Sequence, residues 1–386
     1  MEPAEAVVRF LEGLGQSRET DFYLRLFRAE AKERFATIAV DSWVARHSLD
    51  AVALDLHHLA ALSLTPVVVL GLVEPALADE HAARLRRRLS RDNVPAEVLA
   101  SAEHGEALAA RVAEAARGGR IPIVPFDAAD GVTVDARVER LARLLAGLAT
   151  RKLIFLIRRG GLLQRGAPVG VLNLTTSPSA LLASPEVSRK QRMLVEQSRR
   201  LVLDLVPHRL LVSLTSPIDL LREIFTVQGA GTLLRRGAHI DRRSAWSEVD
   251  LVRLRALVTA AFGRPPLEAM FARPVSRIFV EEEYRGAAVL LDTPLGAYLT
   301  KFVVDPEAQG EGLGRDLWDT FVAEHPAVFW RARPWNPIAP WYAREADGLC
   351  RFPEWHVFWK GLANERIPAA IEYALAAPID IPHEAT

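Results

Sequence analysis

The sequence has one cysteine, no net charge and no long apolar run. A single cysteine, Cys350, excludes an intrachain disulfide and a thiolate metal cluster, which is typical of the reducing cytoplasm. Lys and Arg total 48 and so do Asp and Glu, so no strong field draws the chain to nucleic acid or anionic membranes. The longest apolar runs, at 65–72 and 153–157, are far shorter than the roughly 20 residues of a membrane-spanning helix. The N-terminus is acidic where a signal peptide would be basic. We therefore expect a cytoplasmic protein without nucleic-acid or membrane partners.

The 386 residues exceed one ordinary domain and predict two. Two helical pieces, at 4–14 and 21–31, form an N-terminal segment, 1–32. Residues 33–238 then alternate strands with helices, which predicts a three-layer α/β sandwich with a mainly parallel sheet. The strands are expected at 35–40, 66–71, 96–99, 121–126, 151–157 and 209–214, and the helices at 48–62, 78–89, 106–116, 135–149 and 188–203.

A charged segment broken by Gly237 follows, and residues 239–248 are predicted to be a linker. The remainder, 249–386, has a different texture that predicts an α+β domain. We expect its first helix at 249–262 and its strands at 276–282, 286–292 and 297–304.

A strand, a glycine-rich turn and a helix are predicted between Ala297 and Arg315. The turn carries Gly310, Gly312 and Gly314, which let an anion approach backbone N–H groups at the start of a helix. Such spacing by itself also occurs in dinucleotide sites, phosphate loops and plain tight turns. The turn alone therefore predicts only an anion site.

The pattern Gln309-x-x-Gly312-x-Gly314 after Phe-Val-Val-Asp-Pro resembles the acetyl-CoA motif of the GNAT-type acetyltransferases. With Tyr-Leu-Thr-Lys-Phe at 298–302, Phe-Trp-Arg-Ala-Arg-Pro-Trp-Asn-Pro at 329–337 and Trp-His-Val-Phe-Trp-Lys at 355–360, residues 249–365 resemble the acetyltransferase domain of the vertebrate-like N-acetylglutamate synthases and bifunctional synthase/kinases. The resemblance implies a homo-oligomer, with a tetramer as our expectation, in which glutamate attacks acetyl-CoA directly to give N-acetylglutamate for arginine biosynthesis. It implies that acetyl-CoA binds at Val303, Val304, Gln309, Gly310, Gly312, Gly314 and Arg315.

The resemblance also gives the catalytic residues. Tyr342 is expected to act as acid to the departing thiolate, which suits a hydroxyl that stays protonated at pH 7. Asn336 is expected to support the reacting group or the substrate. The competing interpretation of Tyr342 taken alone is a half-buried core residue.

Glutamate carries two carboxylates, so its pocket should contain several cations. Lys301, Arg331 and Arg333 fit this requirement, and the two arginines share a strand face, although such arginines can also form a solvated face. The resemblance adds Arg264, where relatives carry lysine. Thr300 departs from the family pattern, as does residue 339, an alanine, so acetylation of another amino acid remains an alternative.

The first domain resembles the arginine-regulated amino-acid kinases at 216–233. The resemblance implies that Glu223 and the backbone at Gly229 and Gly231 bind the effector arginine, although a helix end with a glycine cap is the simpler interpretation. An arginine-sensing regulatory protein with an idle transferase is therefore a further alternative.

The kinase motifs themselves are eroded. Phosphoryl transfer needs a lysine and glycines that hold phosphates. Here Ala39 stands at the lysine position, Asp41 and Ser42 replace a glycine pair, and the second glycine cluster reads Leu-Gly-Leu-Val at 70–73. We predict a kinase-dead domain for assembly and regulation, with a bifunctional synthase/kinase as the alternative. We expect no metal, because the adjacent pair His57 and His58 lacks other ligands at suitable spacing.

Overall fold

The computed structural model describes Leu24, Phe27 and residues 32–99, 106–126, 133–175, 179–226 and 229–382. The helices predicted at 4–14 and 21–31 lie outside the described residues, except for Leu24 and Phe27, which are helical. The chain divides into two compact units, Met1–Gly237 and Ala238–Thr386.

The first unit is built on an eight-stranded sheet with the order β3-β4-β2-β1-β5-β9-β10-β8. All neighbouring strands are parallel except β9 and β10, and β6 and β7 form a separate hairpin. The strands are β1 (Thr37–Val40), β2 (Val67–Leu70), β3 (Ala96–Val98), β4 (Ile121–Pro125), β5 (Lys152–Leu156), β6 (Leu163–Gln164), β7 (Ala167–Pro168), β8 (Val171–Asn173), β9 (Leu211–Thr215) and β10 (Thr232–Arg235).

Helices cover both faces of this sheet. They are α1 (Ser42–His47), α2 (Leu49–Ala61), α3 (Ala78–Arg91), α4 (Glu106–Arg117), α5 (Val134–Leu148), α6 (Ser179–Leu182), α7 (Arg189–Arg200) and α8 (Leu220–Phe225). Successive strand residues point to opposite faces: Ile38 packs with Leu56 of α2 on one face, and Ala39 packs with Val112 of α4 on the other. The predicted three-layer sandwich with a mainly parallel sheet is therefore confirmed.

The second unit contains a seven-stranded sheet with the order β11-β12-β13-β14-β15-β17-β16. Its strands are β11 (Ile240–Arg243), β12 (Arg277–Glu281), β13 (Gly286–Thr293), β14 (Gly296–Val304), β15 (Val328–Ala332), β16 (Gly348–Arg351) and β17 (His356–Lys360). Its helices are α9 (Leu251–Phe262), α10 (Glu268–Ala272), α11 (Leu313–Glu324), α12 (Ala339–Glu345) and α13 (Ile367–Ala376). Across the described parts of both units, no helix combines the length and apolarity needed to cross a membrane.

The predicted linker at 239–248 is wrong. It contains β11, which pairs antiparallel with β12 at the edge of the second sheet, and the two units divide instead after Gly237. Ile240 is the one buried residue of β11, while Arg243 forms an ion pair with Asp241 at 2.8 Å. Charged residues are common on edge strands because they discourage pairing with other chains. A single buried position among charges gives too weak an alternation to predict a strand.

Candidate active site

The parallel strands β14 and β15 separate in the middle of the second sheet. Their pairing runs from Ala297 with Val328 to Leu299 with Trp330 and stops there, although β14 continues to Val304 beside β13. Beyond this point the edge of β14 that faces β15 has no strand partner in the described structure. A ligand can enter a gap of this kind and bind the main chain.

A β-bulge at Thr300 accompanies the gap. The register between β13 and β14 shifts so that Val289 faces Lys301 while the next residue, Leu290, faces Leu299. The extra residue reverses the faces of the strand. Lys301 therefore shares a face with Tyr298, which an unbroken alternation would place on the opposite face. Regular alternation in the sequence gives no signal for the bulge beyond two adjacent polar residues, Thr300 and Lys301, in an apolar strand.

The glycine-rich turn joins β14 to α11. Asp305 begins it by accepting the N–H of Glu307 at 2.8 Å. Gly310 and Gly312 have φ values of 82° and 81°, in a region that side chains other than glycine rarely adopt. Gly312 is the N-cap of α11, whose first N–H groups have no acceptor within the helix. The turn therefore presents main-chain N–H groups to an anion, and binding of acetyl-CoA by Gln309, Gly310, Gly312 and Gly314 stays a prediction.

Arg315 follows this turn and is held by the chain itself. Its guanidinium forms an ion pair with Glu345 of α12, with N–O distances of 3.0 and 2.5 Å, and lies 5.7 Å from the ring of Trp341. Val303 is buried and Val304 is half-buried on β14, at the strand edge where the gap opens. Binding of acetyl-CoA by these three residues stays a prediction.

Tyr342 lies inside an aromatic cluster on the α11 face of the sheet. Its ring centroid is 5.5 Å from that of Trp330 and 5.6 Å from that of Phe358, and 5% of the residue is exposed. Burial raises the pKa of its hydroxyl. Within the described residues the hydroxyl has no hydrogen-bond partner, so it is available to a ligand as a proton donor.

Asn336 orders the loop that carries α12. Its side-chain oxygen accepts the N–H of Ile338 at 3.2 Å, and its carbonyl accepts the N–H of Ala339 at 2.9 Å. Ala339 begins α12 and Tyr342 lies about one helical turn further along, so Asn336 holds the start of the helix that carries Tyr342. Direct contact of Asn336 with substrate stays a prediction.

Lys301 lies on the opposite face, toward α9 and α13. Its ammonium forms an ion pair with the carboxylate of Asp380 and donates to the carbonyl of Thr300 at 2.9 Å. Burial, together with the charges of Arg273 and Arg331, lowers the pKa of Lys301 to about 7, whereas the carboxylate of Asp380 favours the protonated form.

Arg331 and Arg333 meet at one aromatic ring. Their guanidinium carbons lie 3.9 and 3.8 Å from the ring of Trp355. Only Arg331 is on β15, because the strand ends at Ala332, so the prediction that both lie on a strand is wrong although their side chains do meet. Arg331 also donates to four carbonyls at the end of α13, those of residues 374, 375, 377 and 378, at 2.7 to 3.1 Å. Arg333 donates to Glu354 at 3.2 Å.

The fourth predicted cation, Arg264, is on the loop after α9 and donates to the carbonyl of Pro382 at 3.4 Å. Two further charged residues lie in this region without having been predicted from the sequence, Arg273 and Asp380, which form an ion pair with each other. Neither residue belongs to a motif, and they are more than a hundred positions apart. Only the fold brings them beside Lys301.

In the first unit the structure brings the predicted regulatory residues together. Glu223 is buried, and one of its carboxylate oxygens accepts the N–H groups of Ala230 and Gly231 at 2.8 and 3.1 Å. The other oxygen accepts the hydroxyl of Ser213 at 2.7 Å. A Cβ atom at Gly229 would lie 2.6 Å from Glu223. The chain thus supplies donors of its own to this carboxylate, and arginine binding stays a prediction.

We expect Gly231→Ala to destabilise the first unit. Its Cβ would lie 2.1 Å from the carbonyl oxygen of Leu214 on the neighbouring strand, and overpacking of this kind typically costs about 1–3 kcal/mol. Gly170→Ala is the matched control, because a Cβ there meets nothing within 4 Å. Thermal unfolding should show a lower Tm for Gly231→Ala than for the control. Equal Tm values would contradict the close approach.

The positions expected to bind phosphates in a kinase are occupied by an ion network. Lys190 of α7 contacts both Asp41, after β1, and Glu74, after β2, at 2.7 Å. The hydrogen bond from Lys190 is the main reason that the pKa of Glu74 is lowered. The one ammonium of this network is thus neutralised by two carboxylates, whereas transferring phosphates need positive charge. Among the described residues there is also no group of three or more His, Cys, Asp or Glu side chains that could hold a metal.

Comparisons with known proteins identify the family of the chain. Residues 241–374 match the family model described as the N-acetyltransferase of N-acetylglutamate synthase. The chain is similar to the acetylglutamate kinase of Xanthomonas campestris pv. campestris, with 33% identity over 91% of this chain and 95% of that protein. It is similar to the mitochondrial N-acetylglutamate synthase of Homo sapiens, with 31% identity over 91% of this chain and 73% of that protein.

The fold is also found among solved structures. The N-acetylglutamate synthase from Neisseria gonorrhoeae, complexed with coenzyme A and L-arginine, matches with a TM-score of 0.51 and 16% identity over 89% of this chain and 97% of that chain. This similarity shows the fold, an α/β domain followed by an α+β domain, and the family model identifies the second domain as an N-acetyltransferase. The chain therefore belongs to the family of the N-acetylglutamate synthases and their bacterial acetylglutamate kinase relatives, in which an amino-acid-kinase-like domain is followed by an N-acetyltransferase domain.

Proposed function

We propose that this protein transfers the acetyl group of acetyl-CoA to the amine of L-glutamate, forming the N-acetylglutamate of arginine biosynthesis. The observation that carries the proposal is the gap between β14 and β15, which has a buried tyrosine hydroxyl at Tyr342 on one face of the sheet and the buried cation Lys301 on the other. The names of the relatives, and the coenzyme A in the Neisseria gonorrhoeae structure, support it.

The two faces separate two chemical tasks. Acetyl-CoA supplies the acetyl group as a thioester, and the pyrophosphate of its coenzyme A part fits the turn at Gly310 and Gly312. Lys301, with the arginines at Trp355, attracts the carboxylates of glutamate and so orients its neutral amine toward the gap. As the new C–N bond forms and the C–S bond breaks, the Tyr342 hydroxyl donates its proton to the departing thiolate. The attacking nitrogen loses one proton to solvent, and solvent returns a proton to the tyrosine, so the products are the amide and the free thiol.

Thiol release from acetyl-CoA tests the proposal. Purified protein should release thiol in the presence of L-glutamate, with kcat/KM for glutamate at least about tenfold above that for aspartate, ornithine or lysine, since each missing or misplaced charged contact costs more than about 1.4 kcal/mol. A preference for another amino acid would favour the broader alternative. Arginine binding with no acetylation of any amino acid would favour an arginine-sensing protein.

We further propose that the first unit has no kinase activity. The ion pairs of Lys190 with Asp41 and Glu74 favour an inactive kinase domain over a bifunctional enzyme. Several relatives are nevertheless named acetylglutamate kinases. A coupled assay with ATP and N-acetylglutamate should give no ADP above the rate without enzyme. Turnover in the ordinary range for kinases, about 1–100 per second, would contradict the proposal.

We also propose that L-arginine binds near Glu223. We expect the protein to be a homo-oligomer, with a tetramer as the expected form, and to act in the cytoplasm. The L-arginine in the Neisseria gonorrhoeae complex and the arrangement of Glu223 with the glycine segment support an effector site. Isothermal titration of the whole protein with L-arginine, and of Glu223→Gln, tests it. Equal binding by both proteins would exclude Glu223 from the site.

A further inference from the structure

One short segment of the chain contacts three of the four cations assigned to glutamate. Arg331 donates to the carbonyls of residues 374, 375, 377 and 378. Lys301 forms an ion pair with the side chain of Asp380, and Arg264 donates to the carbonyl of Pro382. The acceptor subsite and the C-terminal segment therefore compete for the same donors.

The carboxylate of Asp380 is the centre of this arrangement. Only 7% of the residue is exposed, and the carboxylate forms ion pairs with both Lys301 and Arg273. Its peptide carbonyl accepts the N–H of Leu267 at 2.8 Å. A buried carboxylate between an ammonium and a guanidinium has the surroundings that a bound amino-acid carboxylate requires.

The rest of the segment is mostly at the surface. Ile379 is 49% exposed, Pro378 and Pro382 are exposed, and Ile381 is only partly buried, against the core cluster of α9. Few apolar contacts therefore oppose withdrawal of the segment, and local opening is easiest in regions of this kind.

We propose that Asp380 occupies the subsite of an acceptor carboxylate formed by Lys301 and Arg273, so that residues 377–382 are a strap that the acidic amino acid displaces. The proposal deepens the function proposed above and rests on it. It assigns Arg273 a direct contact with the acceptor and explains how buried cations are neutralised before the substrate arrives.

Asp380→Asn tests the competition. Removing the competing charge should lower the KM for L-glutamate about tenfold, the factor expected if the open form is only about a tenth of the population, with the KM for acetyl-CoA unchanged. Glu372→Gln is the matched control, because it removes an exposed carboxylate from the preceding helix. An unchanged or higher KM for glutamate in Asp380→Asn would overturn the proposal, since a counter-ion that merely stabilises Lys301 predicts weaker binding.

Arg273 is tested in the Asp380→Asn background, where its substitution cannot act by loosening the strap. Arg273→Gln should then raise the KM for glutamate at least about tenfold, as for the loss of a charged hydrogen bond. Arg255→Gln in the same background is the control, because Arg255 pairs with the exposed Glu268. Equal KM values for the two double variants would exclude Arg273 from the acceptor subsite.

Hydrogen exchange on the unmodified protein gives a third measurement that needs no variant. Saturating L-glutamate without acetyl-CoA should speed exchange at the amide of Leu267, because displacement of the strap frees it from the carbonyl of Asp380. Unchanged or slower exchange would overturn the strap. A protein that acetylates glutamate but fails these tests contradicts the strap alone, whereas a protein that does not acetylate glutamate contradicts the proposed function.

Discussion

Tyr342→Phe is expected to lower kcat for acetyl transfer by about a hundredfold, the lower end of what a positioned general acid contributes. The hydroxyl is in an aromatic cluster where burial raises its pKa, so it remains protonated throughout the usual range of assay pH. Phenylalanine keeps the ring and its packing against Trp330 and Phe358. The loss should therefore appear in kcat, with Tm and the KM for glutamate nearly unchanged.

Tyr373→Phe is the matched control for this substitution. Tyr373 is on α13 and is 38% exposed, with its ring 5.3 Å from that of Tyr298, so it also loses a hydroxyl in an aromatic setting. Its kcat should match that of the unmodified enzyme. If Tyr342→Phe retained full kcat, the departing thiolate would need another proton source, and Tyr342 would be a packing residue.

Lys301→Met is expected to raise the KM for L-glutamate by about thirtyfold or more, because truncation of one member of a buried charged pair costs about 2–5 kcal/mol. The KM for acetyl-CoA should stay the same, since the lysine is on the opposite face of the sheet from Tyr342. Lys360→Met is the control, because that lysine of β17 is half-buried and hydrogen-bonds a main-chain carbonyl at 3.0 Å.

The same lysine gives a pH dependence with a definite sign. Its pKa is lowered to about 7, first by burial and then by Arg273 and Arg331, so it loses its charge as the pH rises through that value. The KM for glutamate should therefore increase from pH 6 to pH 9 in the unmodified enzyme and stay level in Lys301→Met. Parallel profiles in the two proteins would show that Lys301 does not bind the substrate carboxylate.

The sequence by itself determined the order and type of most elements and the chemistry of the second domain. The predicted strand at 297–304 and helix at 106–116 agree with β14 and α4 to within a residue. Periodicity and turn glycines involve only residues that are close together in the sequence, so a single sequence is enough to detect them. The motif at Gln309, Gly312 and Gly314 was likewise readable, because its meaning depends on spacing within one turn.

Only the tertiary structure decided which residues share a site. The bulge at Thr300 reverses the faces of β14 and places Lys301 beside Arg331, which depends on pairing with β13. The short edge strand β11 was missed because its stability comes from hydrogen bonds to β12 and not from its own pattern. Arg273 and Asp380 meet through long-range packing, and no local pattern encodes such a contact. The sequence therefore determined which chemistry is present, and the fold decided which charges face the substrate.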